Sequence, residues 1–224
     1  MSIIGDMISY EAEGYGRLYQ DVVPSLLLQN NQTSLGSGVE LEIHTEQAFS
    51  KLKPDVFSLA CLRGDPNAYT HVLPVLNILE NLSYNDIDML RQSLWYTSVD
   101  LSFKLNDHDF IDGDIRGPLP ILSGPINDPI LIFDQDLMIG INQEANDMIK
   151  KIVNIYHKTT LKHNLTPGEI IIIDNHRAVH GRSSFFPLYD GYDRFLTRSF
   201  TIFDYKKTLY ARGNNTRTIS AIYS

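Results

Sequence analysis

The chain has 224 residues, of which 43% are hydrophobic and 21% charged, which suits one globular domain with a substantial core. Its formal net charge of -8 gives an acidic surface that repels phosphate backbones and argues against a nucleic-acid partner. The single cysteine, Cys61, excludes an intramolecular disulfide framework and is typical of a reducing compartment.

No apolar run approaches the roughly 20 residues that cross a bilayer as a helix, so the sequence predicts no membrane partner. The first residues, 1–6, lack the basic and apolar regions of a signal peptide. We therefore expect a cytoplasmic protein.

In the first half of the chain, segments with weak secondary-structure signals alternate with segments whose signals are clear. Little periodicity is visible before residue 31, and a polar loop with two glycines leads into a predicted strand over 39–46. Residues 55–63 are predicted as a buried strand. The stretch 72–82 is ambiguous, because Pro74 also suits the first turn of a helix.

The second half has the clearest helix and the clearest strands. Ser83, with an acid three residues later, predicts a helix start and a helix through about Leu94. β-type runs follow at 95–103 and 120–134, and the last predicted strands cover 169–174 and 195–203. A helix is predicted over 142–158 from the apolar spacing of Ile149, Ile152, Val153 and Tyr156.

Many short strands with few helices predict a mainly β fold with flanking helices, either a β-sandwich or a jelly roll. No repeat, low-complexity linker or domain boundary interrupts the chain. We expect one domain over 1–224.

A candidate metal site is formed by the H-x-E motif of His44 and Glu46, together with the distant His180. On a strand, residues i and i+2 face the same side, so His44 and Glu46 can reach one point. Two imidazoles and one carboxylate on one face of Fe(II) leave three positions for a chelating cosubstrate and O2. Taken alone, H-x-E is weak, because a histidine beside a glutamate is usually a satisfied polar pair.

Two arginines strengthen the interpretation. Arg194 and Arg198 share a face of the strand after His180, and a guanidinium offers a rigid fork to the remote carboxylate of a dicarboxylate cosubstrate. His176 lies four residues before His180, a spacing that suits zinc on a helix. Because it directly follows a β-run, we expect His176 to be structural or to support a ligand.

Two acids follow the predicted strand at 130–133. If the strand continues, alternation places Asp134 and Asp136 on one face, where two carboxylates receive a cationic group. The alternative is a solvated turn.

Several segments together resemble the clavaminate synthase-like branch of the Fe(II)/2-oxoglutarate dioxygenases, which includes arginine and asparagine β-hydroxylases of peptide-antibiotic pathways. The segments are His44-Thr45-Glu46, Gln47-Ala48-Phe49, Cys61-Leu62-Arg63, residues 174–182 and residues 189–194. The similarity runs from about Tyr10 to Phe203. It is specific, because this branch uses H-x-E where most of the wider superfamily uses H-x-D.

The resemblance implies a double-stranded β-helix, the cupin-like jelly roll, and a role for each matching residue. His44, Glu46 and His180 would be the iron ligands, and Arg194 would bind the remote carboxylate of 2-oxoglutarate. The remaining positions are those where relatives touch cosubstrate or substrate: Thr70 as a hydroxyl partner of that carboxylate, Arg198 and Ser34 at substrate or cosubstrate, and Asp134 and Asp136 at the substrate's amino or guanidino group.

The implied activity is hydroxylation of an unactivated C–H bond of an amino acid or a derived substrate, free or carrier-bound. The reaction would use Fe(II), 2-oxoglutarate and O2 and release succinate and CO2. Relatives of this branch carry a longer segment before the H-x-E strand, whereas 43 residues precede His44 here, so we expect a shortened dioxygenase domain. Two alternatives stay open: a cupin-type metal barrel without 2-oxoglutarate chemistry, and a non-catalytic small-molecule binder.

Overall fold

The structure is a computed structural model that describes residues 3–104, 110–213 and 216–223. Strands dominate these ranges. They are β1 Asp6–Tyr10, β2 Gln20–Val22, β3 Leu41–His44, β4 Val56–Arg63, β5 Tyr69–Pro74, β6 Trp95–Ser98, β7 Ile115–Leu119, β8 Leu122–Ser123, β9 Ile130–Leu131, β10 Ile139–Gly140, β11 Leu161–Asn164, β12 Ile170–Asp174, β13 Ala178–Arg182, β14 Phe195–Ile202 and β15 Thr218–Ile219. The α-helices are α1 Val75–Leu79, α2 Tyr84–Leu90, α3 Leu101–Lys104 and α4 Gln143–Thr159.

Two sheets carry the architecture. The main sheet has the order β12-β4-β14-β1-β15, with β2 also paired to β14. The smaller sheet has the order β11-β5-β13-β3, and all of its pairs are antiparallel. Short strands β6, β7 and β10 form a separate three-stranded sheet.

The smaller sheet lies between the main sheet and helix α4. On one side, Val72 and Ala178 pack in the same cluster as Phe57 and Phe200 of the main sheet. The neighbouring residues Leu73 and Val179 turn the other way into a second cluster, which includes the buried face of α4. Strand side chains alternate between the two faces of a sheet. One face of the smaller sheet therefore packs toward α4, and the other, which carries His180, packs toward the main sheet.

The structure confirms helix α4, which the apolar periodicity of the sequence predicted. Its first turn is capped by Asn142, whose side chain accepts a hydrogen bond from the Ala145 N–H at 2.8 Å. The buried Trp95 donates its indole N–H to the Ala145 carbonyl at 3.0 Å, which fixes the helix start against β6. The capping box predicted at Ser83 is also present, with Asp86 as its partner.

The fold class is confirmed: the chain is mainly β with flanking helices, and its antiparallel sheets have the double-stranded β-helix arrangement. Several local predictions were wrong. Helix α2 ends at Leu90, and the run 120–134 contains only two-residue strands. Residues 101–104 are helical because Asp100 accepts hydrogen bonds from both the N–H and the hydroxyl of Ser102. Strands β1 and β2 were missed.

Among the described residues, no helix is long and apolar enough to cross a membrane.

Candidate metal centre and active site

The two histidines of the candidate metal site meet across paired strands. His44 ends β3, His180 lies in β13, and the two residues are register partners. Their ring centroids are 4.4 Å apart. Glu46 completes the group, with one carboxylate oxygen 3.3 Å from Nε2 of His180. One ligand atom from each of the three residues lies within 4.8 Å of the others.

Glu46 reaches this point from a turn rather than from a strand. β3 ends at His44, so the predicted strand over 39–46 is too long. The Thr45 N–H donates to the Phe133 carbonyl at 2.8 Å, which draws the chain out of the smaller sheet. Gln47 then adopts a left-handed conformation with φ of 51°. The convergence that the H-x-E motif predicts is therefore present, but a turn produces it.

The electrostatics suit a divalent cation. Burial alone would raise the pKa of Glu46, but the Arg198 guanidinium and the His180 imidazole outweigh it and hold that pKa at about 2. Burial lowers the pKa of His180 to about 4, so its imidazole is neutral at pH 7. His44 uses Nδ1 in a 2.8 Å contact with the Glu42 carbonyl, which leaves Nε2 as its ligand atom. One carboxylate and two imidazoles fit an Fe(II) site.

Arg198 lies behind the carboxylate ligand in a buried ionic network. It donates to both carboxylate oxygens of Glu46, at 3.3 and 3.4 Å. It also donates to Glu13 and, at 2.8 and 3.1 Å, to Gln20. Arg198 therefore already binds three side chains of the protein. The contact with cosubstrate or substrate that the sequence predicts for it would come in addition to these.

Arg194 is, by contrast, a buried cation that lines the cavity and lies near the Phe185 ring. Only 5% of its surface is exposed, and no hydrogen bond or ion pair joins it to the described part of the chain. Burial lowers its pKa to about 10, which leaves it charged at pH 7. Thr70 lines the same cavity, and its hydroxyl is buried without a partner. A buried guanidinium and a buried hydroxyl without acceptors fit a carboxylate ligand.

The opposite side of the cavity is acidic. Asp134 is buried, and this burial raises its pKa to about 6. Asp136 is more exposed, and its pKa is raised by burial and by the nearby charge of Asp100. Residues 135–137 form a turn, so strand alternation does not place the two acids, yet both line the cavity.

All nine predicted site residues line one cavity of about 980 Å³, a volume that includes its opening to solvent. They are Ser34, His44, Glu46, Thr70, Asp134, Asp136, His180, Arg194 and Arg198. His176 lies outside this group and pairs with Asp55 at 2.6 Å.

Sequence reasoning missed other polar residues of this cavity. Glu13 comes from the opening stretch, where no periodicity marks a strand, and it reaches the site because β1 joins the main sheet. Glu42 lies two residues before His44, and this spacing was the available signal for it. Arg182 ends the 174–182 segment that carries the resemblance; its guanidinium donates to the Gly36 carbonyl and anchors the loop that carries Ser34.

Sequence comparison supports the same class of site. Residues 122–200 match the family described as taurine catabolism dioxygenase TauD, TfdA family. The chain is 50% identical over 221 residues to L-lysine 3-hydroxylase of Catenulispora acidiphila, covering 99% of this chain and 62% of that protein. It is 32% identical over 197 residues to clavaminate synthase 2 of Streptomyces clavuligerus, covering 87% of this chain and 59% of that protein.

Structural comparison extends the likeness to the whole fold. A crystal structure of asparagine oxygenase with Fe(II), (2S,3S)-3-hydroxyasparagine and succinate superposes with a TM-score of 0.90 at 32% identity. The match covers 97% of this chain and 66% of that one. The present chain thus spans about three fifths of the curated relatives named above, at 62% and 59% of their lengths.

A double-stranded β-helix with an H-x-E and distal-histidine site defines the class of non-heme iron, 2-oxoglutarate-dependent oxygenases. The chain is related to proteins of that class: residues 122–200 match the TauD/TfdA family model, and the chain is similar to clavaminate synthase, asparagine oxygenase and an L-ornithine/L-arginine 3-hydroxylase. The resemblance seen in the sequence is confirmed.

Proposed function

We propose that this chain carries the Fe(II)- and 2-oxoglutarate-dependent hydroxylation of a free basic amino acid, with L-lysine at C3 as the leading substrate. The observation that carries the proposal is one cavity with three distinct parts: a metal triad, a buried guanidinium with no hydrogen bond or ion pair to the described residues, and a group of carboxylates. The 50% identity to an L-lysine 3-hydroxylase supports the choice of lysine.

In this proposal His44, Glu46 and His180 hold Fe(II). The bound metal supplies the activation of O2 that protein side chains cannot provide. The chain contributes the ligand set and the charge balance: Glu46 is kept ionised, and His180 is kept neutral by burial.

Arg194 and Thr70 bind the remote carboxylate of 2-oxoglutarate. A buried guanidinium is stabilised by an anion, and the unpartnered Thr70 hydroxyl supplies one more donor. Because Arg194 immediately precedes β14 of the main sheet and His180 lies in the smaller sheet, a cosubstrate that bridges them is held from both sheets.

The acidic side receives the substrate's cationic group. Asp134 and Asp136, with Asp100 nearby, concentrate negative charge that a lysine ammonium neutralises. Phe49, Phe57 and Leu137 line the same cavity and exclude water from the reacting C–H bond. The overall reaction converts the amino acid, 2-oxoglutarate and O2 into the hydroxylated amino acid, succinate and CO2.

The test is a substrate screen with Fe(II), 2-oxoglutarate and O2. Mass spectrometry should detect a gain of one oxygen with L-lysine, matched by an equal amount of succinate. Ornithine, arginine, asparagine and a carrier-bound lysine form the comparison arms. If only the carrier-bound lysine gains oxygen, the substrate is the carrier-bound form and not the free amino acid.

Two further outcomes would favour the alternatives. Failure of anaerobic Fe(II) and 2-oxoglutarate to give a visible charge-transfer band, with Fe(II) still bound, would favour a metal barrel without 2-oxoglutarate. Tight amino-acid binding without succinate release would favour a non-catalytic binder.

A further inference from the structure

The residue that holds the metal-binding turn in place is Asn175. It lies between β12 and β13, five residues before His180, and is completely buried. Its side-chain oxygen accepts the N–H of Glu46 at 2.7 Å, and its side-chain nitrogen donates to the Glu46 carbonyl at 3.0 Å. The same nitrogen donates to the Pro54 carbonyl at 2.8 Å.

These bonds replace the sheet contacts that Glu46 lacks. β3 ends two residues earlier, so Glu46 lies outside the strand pairings of the described residues. The carboxamide of Asn175 accepts from the Glu46 N–H and donates to the Glu46 carbonyl. A neighbouring strand would satisfy the same two backbone groups. The next residue, Gln47, has φ of 51°, so the chain bends sharply just beyond this contact.

The contact also joins the two distant parts of the metal site. Glu46 comes from the segment after β3, whereas Asn175 and His180 belong to the same β12–β13 segment. A rotation of the Glu46 backbone would carry its carboxylate away from His180, which lies 3.3 Å from it. The distance between the two ligands is therefore set partly by one buried amide.

We propose that Asn175 is a positioning residue for the metal site: its paired hydrogen bonds to the Glu46 backbone set the carboxylate at the distance from His180 that a metal ion requires. The inference rests on the proposed function, because it takes the triad as the metal site. Groups that orient metal ligands typically change metal affinity by about 10–100-fold when they are removed.

The experiment measures Co(II) binding to the metal-free protein by the visible absorption of the bound ion, and the melting temperature of the same metal-free samples. Asn175→Ala removes all three hydrogen bonds. Asn175→Ser keeps a small polar group too short to bond both sides of Glu46, and it carries the test if the alanine variant does not fold. The matched control is Asn164→Ala, because Asn164 also donates to two backbone carbonyls, at 2.6 and 3.3 Å, with no contact to the triad.

We expect both Asn175 variants to bind Co(II) about 10–100-fold more weakly and with an altered absorption spectrum. Asn164→Ala should lower the melting temperature and leave the affinity within twofold. Wild-type affinity in a folded Asn175 variant overturns the inference, as does an equal loss of affinity in Asn164→Ala. If the wild type binds no Co(II), or His180→Ala binds it equally well, the proposed metal site itself fails, and that result is distinct from the other two.

Discussion

The guanidinium of Arg198 donates to both carboxylate oxygens of Glu46, at 3.3 and 3.4 Å, and no more than 9% of either side chain is exposed. Its other terminal nitrogen reaches Glu13, which is equally buried. Two buried carboxylates thus share one buried guanidinium beside the candidate metal site. Each group is tolerable in the interior only because the others compensate its charge.

Removing this arginine should destabilise the metal-free protein. We expect Arg198→Met to lower the free energy of unfolding by about 3–5 kcal/mol, because the ionised Glu46 is left buried without this counter-charge and Glu13, whose pKa burial already raises to about 7, loses the cation that opposes that shift. Urea unfolding at neutral pH measures the change. Adding Glu13→Gln to the variant should recover part of the loss, and an unchanged urea midpoint in Arg198→Met would show that the network contributes no stability.

The second prediction concerns the cosubstrate. Arg194→Gln should raise the KM for 2-oxoglutarate by about 10–100-fold, since a charged hydrogen bond contributes about 1.5–3 kcal/mol. Thr70→Val, which removes only the hydroxyl, should have a smaller effect in the same direction. Succinate formation at varied 2-oxoglutarate concentration, with lysine saturating, is the measurement. An unchanged KM in Arg194→Gln would move the carboxylate site elsewhere.

A third prediction separates the two acids on the opposite side of the cavity. If lysine is the substrate as proposed, Asp134→Asn should raise its KM by about 10–100-fold, because an amide cannot form the charged hydrogen bond with the ammonium group that the Asp134 carboxylate would form. Asp136→Asn should have a smaller effect, because Asp136 is more exposed to solvent. The KM for 2-oxoglutarate serves as the internal control. Equal lysine kinetics in Asp134→Asn and the wild type would contradict the assignment.

A fourth prediction concerns pH and lies outside the cavity. Burial lowers the pKa of His71 from its ordinary value of 6.5, with Glu40 opposing the shift and Lys162 and His157 adding to it. The unfolded chain therefore binds a proton at His71 more readily than the folded chain does. This contribution to stability is present above pH 6.5 and is lost as pH falls toward the lower pKa of the folded state.

Replacing this histidine with a group that does not titrate should flatten that part of the stability profile. We expect the loss of unfolding free energy between about pH 7.5 and pH 5.5 to be smaller in His71→Gln than in the wild type. Urea unfolding at both pH values gives the comparison. His163→Gln is the control, because His163 is largely exposed. A wild-type pH slope in His71→Gln would rule out this source of acid sensitivity.

Local sequence signals predicted the elements whose causes are local. Helix α4 has its own cap and its own apolar face, and the Ser83–Asp86 capping box needs only four residues. Strands β1 and β2 are different, because they are held by pairing with β14, which lies far along the chain. Residues 101–103 were predicted as part of a β-type run. The Asp100 carboxylate accepts a hydrogen bond from the Ser102 N–H, and this contact favours a helical turn.

The sequence by itself determined which donors form the candidate site, because H-x-E, the distal histidine and the following arginines are all visible as residue types at fixed spacing. The tertiary structure decided how they are held. Glu46 lies beyond its strand, and the Asn175 amide from a segment more than a hundred residues later fixes its backbone. Likewise, Arg194 and Arg198 come from the start and the middle of the same β14 region, yet Arg198 pairs with Glu13 and Glu46, while Arg194 forms no ion pair with the described residues. Partners of this kind come from distant parts of the chain, and only folding brings them within hydrogen-bonding distance.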